Sequence, residues 1–104
     1  MQYINKATLR ILNHFEHRNG LFWSAEILMG LKVICTVEQK GWGGANFYYG
    51  KTPEWKKCKQ EILSLFNKQA NTNREEELID AIVTYTGHNE TLEQGIQHYR
   101  SSLP

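Results

Sequence analysis

The sequence predicts a single α+β domain over residues 1–104, in which a small antiparallel β-meander of two or three strands packs against about four helices. Three observations lead there. The run Leu31–Gln39 is β-branched and alternates in polarity, the segment Gly41-Trp42-Gly43-Gly44 follows it as a turn, and after Gly50 the apolar period changes from two residues to that of a helix. The length, 104 residues with 40% apolar and 22% charged, is that of one domain with a modest core.

The first element reads as a helix from about Asn5 to His17. Ile4, Leu9, Ile11, Leu12 and Phe15 recur at helical spacing, Asn5 can cap the start and Asn19-Gly20 ends it. Leu21–Met29 fits two templates, a short helix opened by Ser24 or a strand with Leu21, Trp23, Ala25, Ile27 and Met29 on one side. The glycines at positions 20 and 30 favour the strand. In Leu31–Gln39, alternation places Leu31, Val33, Cys35 and Val37 on the face expected to carry the helices. Ala45–Tyr49 returns beside it, antiparallel because the intervening loop is too short for a parallel crossover.

The helical half is punctuated more clearly. Thr52 as N-cap, Pro53 at the first position and Glu54 in the first turn open a helix whose stripe is Trp55, Cys58, Ile62, Leu65 and Phe66, ending near Gln69. Thr72 or Asn73 caps the next, with Glu75, Glu76 and Glu77 against the positive end of its dipole, Leu78, Ile79, Ile82 and Val83 inward, and Gly87 as its stop. A last helix from Glu90 or Thr91 to Ser101 buries Leu92, Ile96 and Tyr99; Gly95 is expected to weaken it by about 1 kcal/mol.

Charge narrows the function. The balance is +1 overall, but residues 1–59 hold nine Lys/Arg against four Glu, whereas residues 60–104 hold three against seven acids. A near-neutral chain lacks the bulk field of a general nucleic-acid coat. No apolar run approaches the ~20 residues of a membrane helix, and Met1–Lys6 has no secretory signature. The expectation is a cytoplasmic protein with two free thiols and no membrane contact.

Candidate chemistry is sparse. His14 and His17 stand three apart, yet a zinc site needs three or four ligands, and the two cysteines sit on different elements, so no metal or other cofactor is expected. Cys35 and Cys58 fall on apolar stripes, where thiols are inert; the neighbouring Lys56, Lys57 and Lys59 are the one feature that would activate Cys58. Gly41–Gly44 is followed by a strand rather than the helix a phosphate loop requires. The carboxylates of 75–80 have no partner acid placed across a cleft. The sequence therefore reads as a non-enzyme without a small-molecule substrate.

The densest feature is aromatic. Trp42, Phe47, Tyr48, Tyr49 and Trp55 lie within fourteen residues, and alternation sets Phe47 and Tyr49 opposite Tyr48. Trp42 and Tyr48 are expected at the surface as anchors for a protein partner. With Lys40, Lys51, Lys56, Lys57 and Lys59 nearby, the same strand also fits a platform for single-stranded nucleic acid, though the aromatic motif of RNA-recognition sheets is missing.

In size, in its Asn/Lys/Ile/Tyr-rich usage and in its lack of a diagnostic motif, the whole chain resembles the bacterial immunity proteins that neutralise contact-dependent or colicin-type toxins. That resemblance implies an inhibitor forming a tight 1:1 complex with one cognate toxin domain and covering its active site. If the toxin is a nuclease its site is basic, and acidic side chains would match it. The residues this assigns to the partner are Trp42, Tyr48, Glu75, Glu76, Asp80 and Glu93. The other readings are a small nucleic-acid-binding regulator and an adaptor subunit.

Overall fold

A computed structural model of the chain describes residues 2–17, 20–40, 46–66 and 72–104. Among these residues an antiparallel meander is followed by three helices: β1 (Ala7–His17), β2 (Gly20–Met29), β3 (Lys32–Lys40), β4 (Phe47–Tyr49), α1 (Pro53–Leu65), α2 (Thr72–Tyr85) and α3 (Leu92–Ser102). The strands lie in the order β1-β2-β3-β4, each hydrogen-bonded to its neighbour in sequence. The architecture is α+β, with four strands and three helices in place of the two or three strands and four helices expected.

The difference lies at the start of the chain. Residues 7–17 form a strand, not a helix, pairing from Ala7↔Met29 to His17↔Gly20. Ala7, Leu9 and Ile11 also alternate with Thr8 and Arg10, so this stretch satisfies both periods, and the partner strand decides between them. The reading of 21–29 as strand holds. Only a single turn precedes β1, in which Lys6 N–H and Ala7 N–H donate to the Tyr3 carbonyl. Its otherwise unpaired amides are taken up by Glu61 on α1, whose carboxylate accepts from Gln2, Tyr3 and Ile4 at 3.0–3.2 Å. A charged acceptor bonded to three amides fastens the first residues to the helical layer.

Two bulges set which side chains face inward. On β1, Ile11 opposes Ala25 and Asn13 opposes Ser24, so Leu12 is the extra residue and stands 48% exposed. On β3, Cys35 opposes Ile27 and Val33 opposes Leu28, leaving Ile34 as the extra residue. One inserted residue resets the alternation. Cys35 and Val37 face the helices as expected, but Val33 is 39% exposed and Leu31 is 99% exposed, while Ile34 is buried. Leu31 is the second residue of the two-residue turn Gly30-Leu31, and the φ of +64° at Gly30 suits the first central position of a type II′ hairpin.

The core lies between one sheet face and the helices. Leu9, Ala25, Ile27, Cys35 and Val37 meet Trp55, Cys58 and Ile62 of α1, Ile79, Ile82 and Val83 of α2, and Leu92 and Ile96 of α3. On the opposite sheet face Arg10 and Glu26 pair across the strands at 3.0 Å. The outer edge of β1 is closed by the segment before α3: Leu9 N–H donates to the Glu90 carbonyl, Asn89 N–H to the Leu9 carbonyl, and Ile11 N–H to His88 Nδ1. His98 Nε2 lies 2.9 Å from Glu90 Oε2 on the same side.

The first and last helices start at their expected caps, whereas Thr72 and Asn73 both lie within α2 and neither caps it. Thr52 accepts from Trp55 N–H, Pro53 occupies the first turn, and Thr91 and Gln94 form a capping box. The first helix stops at Leu65, short of Gln69; the side chain of Arg100 on α3 donates to the Leu65 carbonyl there and its guanidinium lies 4.8 Å from the Phe66 ring centroid.

Candidate functional site

One cleft of about 730 Å³ opens between β4, α1 and α2. Its base is aromatic and aliphatic: Tyr48 and Trp55 stack with ring centroids 6.0 Å apart and 17° between planes, beside Leu63 and Ile79. The α1 wall carries Lys56 and Lys59, one turn apart, and the α2 wall carries Glu75, Glu76 and Asp80. Lys59 Nζ lies 5.7 Å from the Trp55 ring centroid. Neither lysine forms an ion pair with the acids facing it.

Asp80 is the most constrained group of the site. Its Oδ1 accepts from the Tyr48 hydroxyl at 2.6 Å, from Asn46 Nδ2 at 2.6 Å and from Asn46 N–H at 3.4 Å. Asn46, which is buried, is held in turn by Gln39 Nε2 donating to its Oδ1 at 3.1 Å. Burial, followed by the acceptor and charge of Asp80, pushes the Tyr48 phenol above its ordinary value, so it remains a donor. Charge-assisted donors of this kind fix a carboxylate in place.

The structure thus brings four of the expected partner residues, Tyr48, Glu75, Glu76 and Asp80, to one cleft. Their roles differ from the expectation. Tyr48 is not a surface anchor: it packs against the core, stacked on Trp55 and bonded to Asp80. The outward aromatics of β4 are instead Phe47 and Tyr49, 50% and 53% exposed. The reason is tertiary, since β4 pairs Val37 with Tyr48 and so turns Tyr48 toward the helices. Glu93 does not join the cleft. It lies in the first turn of α3, which packs at Gly95 against Ile82 and Thr86, at the end of α2 away from Glu75 and Glu76. Trp42 and the turn Gly41–Gly44 lie outside the described residues. Asn46, Gln60 and Leu63 also line the cleft and were not foreseen; only the i, i+4 face of α1 shared with Trp55, Lys56 and Lys59 signals the last two.

The thiols do not belong to this site. Burial pushes Cys35 up to about 12 and Cys58 up to about 12, and for Cys58 the lysines of its own helix do not offset that burial. Both thiols are therefore expected to resist alkylation at pH 8 until the protein unfolds. A folded-state pKa above the unfolded one favours the protonated form, so their contribution to stability is complete below the unfolded thiol pKa of about 8.5 and fades as pH rises toward 12. Thiol titration in native and denaturing buffer, with melts from pH 7 to 11, checks both outcomes. Among the described residues no group of three or more His, Cys, Asp or Glu is arranged to hold a metal ion, and no helix is long and apolar enough to cross a membrane.

Compared with family models, curated proteins and solved structures, the chain has no match in any of the three. What the fold and the cleft define is an α+β domain that offers a bipolar, aromatic-floored recess between two helices.

Proposed function

We propose that the chain is a non-enzymatic protein-binding inhibitor of the immunity-protein kind, which neutralises one cognate bacterial toxin domain by a tight 1:1 complex over its active site. A nuclease is the toxin activity that fits best. The observation that supports this reading is the α2 wall of the cleft, where Glu75, Glu76 and Asp80 stand together with Asp80 held rigid by Tyr48 and Asn46. A nuclease site is basic because it holds phosphate, and a fixed array of carboxylates is complementary to it. Phe47, exposed at the rim, supplies the apolar contact assigned above to Tyr48, and Trp42 stays in the proposal as a second anchor.

The same α2 wall disfavours nucleic acid at this cleft, since carboxylates beside Lys56 and Lys59 repel phosphate. The test is co-purification with the product of the adjacent gene, followed by inhibition of that product's toxicity. Glu75→Lys combined with Glu76→Lys is expected to slow association about tenfold and to flatten its salt dependence, with only a modest fall in melting temperature from the loss of two acids at the positive end of α2. Oligonucleotide binding by the purified protein with a steep salt slope, and no complex with any co-encoded protein, would replace this reading with the nucleic-acid one.

A further inference from the structure

We infer that the cleft is an arginine pocket: it takes the side chain of one arginine from the bound segment, with the guanidinium against Asp80 and beside the partly exposed ring of Tyr48. The inference rests on the reading of the cleft as a partner-binding site and names the group that enters it. The hydrogen bonding of Asp80 comes first. All three of its donors bond Oδ1, and Oδ2 has no partner among the described residues. No buried side-chain oxygen or nitrogen among those residues lacks a partner, so Oδ2 is in reach of solvent, on a residue that lines the cleft. The protein thus fixes the carboxylate by one oxygen and leaves the other as an acceptor.

The chemistry of the ligand follows from what surrounds that acceptor. A ligand group must be cationic to face Asp80 with Glu76 beside it. A planar one gains twice, from the carboxylates by its forked donors and from the partly exposed Tyr48 ring by contact with its flat face. Guanidinium has both properties, and an ammonium has only the charge. The lysines opposite do not compete for the place, because neither pairs with the acids and Lys59 lies by the Trp55 ring instead. They are positioned to donate to main-chain carbonyls of the segment that carries the arginine. The volume, about 730 Å³, exceeds what one side chain fills and leaves room for that backbone.

The experiment needs no partner protein. The ¹⁵N-labelled chain is titrated with Nα-acetyl-arginine methylamide, and separately with the citrulline and lysine analogues, following the Trp55 indole and the Asn46 and Asp80 amides. Saturable shifts at these groups are expected with arginine in the millimolar range, with citrulline at least about tenfold weaker. Asp80→Asn should abolish the response. Because that change also loosens Tyr48 and Asn46, Glu76→Gln is the companion variant; its side chain is exposed, and it should weaken binding about threefold with the spectrum otherwise intact. No response up to tens of millimolar, an equal response to citrulline, or a lysine analogue that matches arginine overturns the inference. Failure here is separable from failure of the inhibitor reading, which complex formation with the co-encoded protein decides by itself.

Discussion

Replacing Gly95 by alanine is expected to destabilise the protein by about 2–4 kcal/mol, although alanine is the better helix former by about 1 kcal/mol. A Cβ at position 95 would lie 1.9 Å from Thr86 Oγ1 and 2.9 Å from the Ile82 carbonyl oxygen. The hydroxyl it meets is already committed, donating to that same carbonyl at 2.7 Å in the buried contact of α2 with α3. Displacing it breaks this bond, and the carbonyl is backbone that can move only with its helix. The two helices would have to separate, taking Leu92 and Ile96 out of their packing against α2. Chemical denaturation of Gly95→Ala measures the loss. Thr86→Ala should partly suppress it, with a coupling of about 0.5–3 kcal/mol in the double-mutant cycle. A stabilised Gly95→Ala would mean that α2 and α3 do not approach as closely as they do here.

Trp55→Ala has the larger expected effect, about 3–5 kcal/mol, which lowers the melting temperature by more than about 12 °C. Trp55 is the largest fully buried side chain, set at the start of α1 by the Thr52 cap and packed beneath Gly50 and Cys35. Its loss removes apolar area and the stack on Tyr48 together. It also opens the cleft floor under the Asp80 network, so the Tyr48 hydroxyl and Asn46 amide become wet. Trp55→Phe retains a ring for Tyr48 and should cost less than half as much. Thermal melts of both variants check the order, and fluorescence of the remaining tryptophans shows whether the rest of the core stays folded. With a total stability of about 5–15 kcal/mol expected for such a domain, Trp55→Ala approaches the limit at which the chain folds.

The helical half was legible in the sequence because its signals are local. Thr52-Pro53-Glu54 and Thr91 with Gln94 act on backbone amides three residues away, and the stripes Trp55–Cys58–Ile62 and Leu78–Ile79–Ile82–Val83 bury as their spacing requires. The acidic wall of the cleft was legible for the same reason, since Glu75, Glu76 and Asp80 share one helix.

Tertiary structure alone decided the rest. Residues 7–17 satisfy a helical and a strand period equally, and pairing with β2 chose the strand. The bulges at Leu12 and Ile34 exchange which residues face inward, and nothing in the run Leu31–Gln39 marks where the extra residue falls. Gly95 reads as a weak point of its helix until Thr86 is placed against it. Tyr48 looks like an exposed anchor until Trp55 and Asp80, seven and thirty-two residues further on, meet it in space. In each case the deciding contact joins residues on different elements. Local periodicity carries no trace of such a contact, because its energy appears only once both elements are in place.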